Sequence, residues 1–361
     1  MNEGLLTKTI KILLFLVLSV LILIYAKPFL VPLAFAALFS MLLLPLSLRF
    51  EKWGLARGLA TLLTTVLFAV LIAAVVYVLI GQITEISKNA KGIEQQFNQK
   101  IGELRDYVNH RFGISHQKQE EIIQGNPSTG SGKLASVFSG LVASLGSFLT
   151  DLVLTFVYLF LFLYFRPHLR KFLLMLVPAT DKKNALAIVD EARGVAQKYI
   201  TGLCWMILCL WIMYSIGFSV VGVKNAVFFA ILCGLLEIVP YVGNLTGNII
   251  TIVAVVMQGG STSMILGVVL TYGTVQFLQT YILEPLVVGK GVRLNPLFTI
   301  AGIVAGELIW GVPGMILAIP LLGVTKIVCD HVEPLKPYGF LIGQERKSKS
   351  GVVAKVKQWV K

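Results

Sequence analysis

Glu237 is the sole charged residue between positions 225 and 283, and Glu307 is the sole one between 294 and 325. An ionised carboxylate at the centre of a bilayer costs roughly 2.5–3.5 kcal/mol, so acids in such tracts face protein or water and are candidates for function. Held away from bulk water, either carboxyl could take up and release a proton, which suits proton-coupled transport. The structural alternative is a protonated acid that hydrogen-bonds a neighbouring helix. Each acid stands just ahead of helix breakers: Glu237 precedes Pro240 and Gly243, and Glu307 precedes Gly311, Pro313 and Gly314.

Neutral polar groups follow the first break. Tyr241, Asn244, Thr246, Asn248 and Thr251 suit a wet cavity, or could tie up backbone freed by Pro240 and the glycines. Further on, Tyr272, Gln276, Gln279 and Thr280 fall at i, i+4, i+7 and i+8, one face of a helix. Such a stripe offers donors and acceptors for an uncharged polyol or sugar-like solute. It could equally join helices, at about 0.6 kcal/mol per hydrogen bond.

Enzyme signatures do not accompany these residues. Gly130-Ser131-Gly132-Lys133 resembles the end of a phosphate-binding loop, but Pro127 occupies the first glycine position and Leu134 replaces the Ser or Thr. His110, His116, His168 and His331 form no metal-binding pair on one helix turn, and no G-x-S-x-G occurs. Cys204, Cys209, Cys233 and Cys329 make no C-x-x-C and read as small hydrophobes. No enzyme activity, cofactor or metal is therefore expected, and transport would be driven by a gradient or a partner.

The elements that must position the acids are membrane helices. The chain has 361 residues, of which 56% are hydrophobic and 14% charged. With a mean hydropathy of +0.82, it carries more apolar surface than a soluble domain of this length could bury. Lipid must be its solvent. The net charge of +13 comes mostly from Lys and Arg in short segments between apolar runs, where they set orientation, so nucleic acid is not an expected partner. At about 20 residues per span, the runs 12–26, 29–48, 59–80, 134–165, 200–223 and 264–283 predict six full spans. The first run passes after only Lys27 and Pro28 into the second, so it reads as a retained anchor.

The tracts 225–257 and 296–328 are long for one span and broken near the middle. Treating both as re-entrant hairpins places Lys290 and Arg293 inside, as the positive-inside rule prefers; treating both as full spans places them outside. Two broken segments of opposite orientation are the pattern of an inverted-repeat transporter whose breaks meet at a mid-membrane site. The expected fold is thus an all-α polytopic membrane protein of about eight hydrophobic segments, six full spans plus two re-entrant helical hairpins, with an extramembrane helical insert. The expected divisions are 1–81 with the first three spans, 82–143 as an extracytoplasmic amphipathic insert, 144–223 with two spans and a cytoplasmic helix at 166–199, 224–328 as the transport core, and 329–361 as a basic cytoplasmic tail. Both termini are placed in the cytoplasm.

At Glu237-Ile238-Val239-Pro240-Tyr241-Val242-Gly243, at Leu283-Glu284-Pro285-Leu286-Val287-Val288-Gly289, and at Asn295-Pro296-Leu297 with Gly306, Gly311, Gly314 and Ala318-Ile319-Pro320-Leu321, the chain resembles the autoinducer-2 exporter family, also described as PerM-type permeases. The likeness covers essentially the whole chain. It implies a bacterial cytoplasmic (inner) membrane transporter, a homo-oligomer, whose characterised relatives export a quorum-sensing furanone or exchange sodium or lithium for protons. Carried over by motif, the implied functional positions are Glu237, Pro240, Gly243, Glu284, Pro285, Pro296 and Gly314. Asn295 stands where the family pattern would place a histidine. Three functions compete: export of a small polar solute, Na+(Li+)/H+ antiport, and a membrane scaffold acting through the outer amphipathic helix.

Overall fold

A computed structural model of the protein describes residues 3–88, 150–176, 182–239, 242–288 and 294–344. Among these residues every regular element is helical. The amphipathic insert beyond residue 88, Pro240 and Tyr241, Lys290 and Arg293, and the tail from 345 lie outside the described residues. The helices group into two compact units, residues 1–169 with 200–289, and residues 170–199 with 290–361.

The first unit opens with α1 (Glu3–Tyr25), α2 (Lys27–Lys52) and α3 (Arg57–Lys88). Pro28 occupies the first turn of α2, where its missing N–H costs nothing. Gly54 turns the chain between α2 and α3 at φ +92. In α1 no residue of the apolar span Thr7–Tyr25 is buried, as lipid-facing surface should be. On α3 the hydroxyls of Thr61, Thr64 and Thr65 donate to carbonyls one turn back at 2.5, 2.7 and 2.9 Å, so these buried groups are satisfied within the helix. The helix α4 (Thr150–Tyr164) packs Leu159 and Leu163 against Ala36 of α2. Phe68 links the two sides through Phe39 and Phe156, at ring separations of 5.0 and 6.1 Å.

α4 bends by 69° into α5 (Arg166–Met175), and α6 (Lys182–Val221) follows. The sequence places an extramembrane helix at 166–199 separate from a span at 200–223. Instead α6 runs unbroken for 40 residues, about 60 Å at 1.5 Å per residue, twice a hydrocarbon core of ~30 Å. No proline interrupts it. From Leu210 onward its buried face, with Tyr214 and Phe218, forms one core with α7 (Ala226–Leu236), α8 (Val242–Met257) and α9 (Thr262–Leu278). Phe229, Cys233, Val255, Val268 and Val275 fill that core. α9 continues as a π-helical segment, Gln279–Val288.

The second unit is organised by α10 (Pro296–Trp310) and α11 (Val312–His331), an antiparallel pair joined through Gly311 at φ +70. The Asn295 side chain accepts from Leu297 N–H at 3.0 Å and so caps α10. Backbones touch at Gly306 and Gly314, where a methyl on either would overlap the other's carbonyl oxygen. A short 3₁₀ turn, Glu333–Leu335, leads into α12 (Lys336–Ile342). Asn295 N–H then donates to the Ile342 carbonyl at 2.8 Å, closing the unit on itself. His331 pairs with Glu191 at 3.4 Å, tying α11 to the first part of α6.

Among the described residues six helices are long and apolar enough to cross a membrane: Thr7–Tyr25, Lys27–Lys52, Arg57–Val78, Asn184–Val221, Thr262–Glu284 and Val312–His331, with Thr150–Tyr164 qualifying jointly with α5. The protein is an all-helical, multi-pass membrane protein. Each broken tract is a helical hairpin: α7 with α8, and α10 with α11. In the second, α11 alone is long enough to span.

Candidate functional site

α7 ends at Glu237, whose N–H still bonds to the Cys233 carbonyl at 3.0 Å. The chain folds back so tightly that a methyl on Gly243 would overlap the Leu236 carbonyl oxygen, and one on Gly247 would sit 3.1 Å from Cys233. Only glycine permits that approach. The fold-back sets Asn244, on the first turn of α8, against Glu237: Asn244 Nδ2 donates to Glu237 Oε1 at 3.2 Å.

α9 supplies the other wall. Gln279 Nε2 donates to the same Oε1 at 2.7 Å, and Asn244 Nδ2 also donates to Gln276 Oε1. One turn further along α8, Asn248 Nδ2 donates to the Asn244 carbonyl at 2.9 Å. Thr251 donates to the Gly247 carbonyl at 2.8 Å, and its hydroxyl lies 3.5 Å from Cys233 Sγ. Asn244, Asn248, Thr251 and Gln279 are all buried. The widening of α9 to a π-helix begins at Gln279, and short π stretches inside helices occur frequently at functional sites.

Glu237 is thus bonded on one side only. Its Oε2 has no protein partner, nor do the side-chain oxygens of Asn244, Asn248 and Gln279, although all four are buried. The hydroxyl of Tyr214, from α6, is likewise buried and unpartnered. A cluster of acceptors in a dry core is costly unless something donates to it. A proton on Glu237, solute hydroxyls, or a cation would each satisfy it, and carboxamides can turn N–H₂ or O toward a ligand.

Hydrogen bonds join Glu237, Asn244, Gln276 and Gln279, with Asn248 bonded to the Asn244 carbonyl. Thr280 is exposed and accepts from Gln276 Nε2 at 3.2 Å, which extends the network by one hydroxyl. Tyr272 is half-buried and Glu284, on the π segment, is exposed. Glu307 lies in the second unit, exposed on α10. The Pro285 side chain, like Tyr241, lies outside the described residues, whereas Pro296 and Pro313 open α10 and α11. Tyr214 escaped the sequence reading because one hydroxyl in an apolar run has no spacing signature. Among the described residues no three His, Cys, Asp or Glu side chains come together as a metal group.

Comparison with known proteins agrees with this architecture. YrrI of Bacillus subtilis (strain 168), provisionally named a transport protein, is 24% identical over 309 residues, 84% of this chain and 87% of its own. YhhT of Escherichia coli (strain K12), named in the same way, is 24% identical over 324 residues, 89% of this chain and 90% of its own. The family model described as AI-2E family transporter matches residues 12–333. That match, over nearly the whole length of a multi-pass helical chain, identifies the protein as a member of the AI-2E transporter family.

Proposed function

We propose that the protein is a secondary transporter that exports a small polar solute, autoinducer-2-like by its family, through a site centred on Glu237. The observation that carries this reading is the one-sided bonding of that carboxylate: Oε1 accepts from Asn244 and Gln279, while Oε2 and three neighbouring amide oxygens remain open to a ligand. A small polyol would donate to those oxygens. The pathway beyond the cluster is drawn through Tyr241, Tyr272, Thr280, Glu284 and Glu307. In this reading both hairpins are re-entrant, residues 224–328 form the transport core, and Pro240, Gly243, Gly311 and Gly314 set the breaks. The chain sits as a homo-oligomer in the bacterial cytoplasmic (inner) membrane, with both termini in the cytoplasm. Reconstituted flux over a panel of polyols, sugars and furanones tests it: wild type moves at least one of them, and Glu237→Gln does not while inserting normally. Equal flux by both proteins for every solute contradicts the proposal.

The same unsatisfied oxygens favour one further reading, sodium or lithium exchange for protons, because hard cations take carbonyl and carboxylate oxygens. Adding sodium or lithium to energised everted vesicles separates the two. An antiporter dissipates the pH gradient reported by a quenched dye; a solute exporter leaves it unchanged. A scaffold acting through the insert at 82–143 would need neither flux nor Glu237.

A further inference from the structure

The site above leaves α5 without a role. None of its residues is buried. Leu169, Phe172 and Leu173 recur at i, i+3 and i+4, one face of the helix, and Leu176 follows directly after its last turn; they are 37, 53, 41 and 66% exposed. The other side carries Arg166, Arg170 and Lys171, with no acid anywhere from 166 to 176. Leu174, on that basic side, is more covered than the four apolar residues, so the apolar face is not the one turned toward protein.

The level of α5 in the molecule is marked independently. Arg166 Nη2 bonds both oxygens of Glu51 at 2.7 and 2.6 Å, which sets the start of α5 beside the end of α2. Gly58, at the start of α3, lies against the Tyr164 ring, 3.7 Å from where a methyl would be. Three helices therefore change from apolar to charged at one height, where Arg49, Lys52 and Arg57 gather and Trp53 stands 75% exposed. Tryptophan, tyrosine and cations at one level are the signature of a membrane–water boundary. α5 leaves α4 at 69° there; carried on as the rest of a span, it would drag three cations into hydrocarbon.

The geometry points to α5 as an interfacial helix that binds an anionic phospholipid surface, with Leu169, Phe172, Leu173 and Leu176 in the acyl boundary and Arg170 and Lys171 against lipid phosphates. Apolar area and charge act together in such helices, and each cation near an anionic surface strengthens the attachment. Asp190 lies 3.7 Å from Arg170, but both side chains are 56% exposed, and a solvent-exposed pair of that kind competes weakly with a phosphate.

The test uses the full chain with Cys204, Cys209, Cys233 and Cys329 replaced by alanine, reconstituted in phosphatidylcholine vesicles with or without phosphatidylglycerol. A nitroxide is attached at Phe172→Cys or, separately, at Lys171→Cys. The label at 172 should collide several-fold more with oxygen than with a water-soluble nickel chelate, the label at 171 should show the reverse, and phosphatidylglycerol should deepen the immersion at 172. Adding R170E, alone or with K171E, to the Phe172→Cys protein should abolish that dependence on lipid charge. An aqueous label at 172 overturns the proposal. So does a label shielded from both reagents and released on dilution with lipid, which would mean that a second copy covers the face. Immersion indifferent to phosphatidylglycerol overturns the anionic preference, and that comparison needs no charge reversal.

Discussion

Glu237 Oε1 accepts both hydrogen bonds that reach the carboxyl, from Asn244 at 3.2 Å and Gln279 at 2.7 Å, and Oε2 accepts none. Such an arrangement orients an acid without saturating it. Gln279 is then a positioning residue, and Gln279→Ala removes a bond to a charged group worth about 1.5–3 kcal/mol, so flux should fall ~10–100-fold in reconstituted vesicles. Unchanged flux would detach Gln279 from the site. Glu237 is the sole charge in 225–283, Asn244 follows the break beside it, and Gln276 and Gln279 share a helix face, which is why these four could be picked out before any fold was in hand. Glu284 and Glu307 were as visible, yet both are exposed, Glu284 on the unit that holds Glu237 and Glu307 on the other, because spacing along a helix says which residues share a face and not what that face meets. Tyr214 shows the converse: its hydroxyl joins the buried polar region, but in sequence it is one aromatic among many apolar neighbours.

At the scale of elements, the hairpins depend on backbones that approach without side chains between them. Gly306 lies against Gly314, and Gly306→Ala should cost about 1–3 kcal/mol by overpacking, read as a lower melting temperature of the purified protein. Gly194, in α6, has open space around its Cβ direction; Gly194→Ala should instead stabilise by about 0.5–1 kcal/mol, since a helix interior favours alanine. If both changes had the same sign, the close-packing account of the hairpin would fail. The breaks themselves were legible as Pro and Gly near the middle of long tracts. Which glycine faces which was not, because that depends on register across the turn at Gly311. Asn295, where the family pattern led one to expect a histidine, caps α10 through Leu297 N–H, a role that asparagine fills well. The continuity of α6 was also hidden: the change from charged to apolar near residue 200 looks like an element boundary, but composition can change along one helix while its hydrogen bonds continue.

Among the described residues, large apolar side chains stand exposed along most of the helices, as a lipid solvent demands. Glu51 is paired with Arg166, each 21% exposed. Glu51→Gln would leave the guanidinium with weaker partners beside an Nη1 that already has none, lowering stability by about 1.5–3 kcal/mol. Adding Arg166→Gln should recover part of that loss in a double-mutant cycle, and strictly additive losses would show that the pair is not coupled. Glu237 differs from Glu51 in having no cation to answer it among its hydrogen-bond partners, which is why the proposed function is placed there. The most direct measurement takes Glu237→Gln and follows solute flux and melting temperature in the same preparation. The account predicts flux abolished with melting unchanged or raised, because a glutamine keeps an oxygen to accept from Asn244 and Gln279 and brings an N–H₂ to the unpartnered acceptors. Flux retained, or lost only in step with a falling melting temperature, would contradict it.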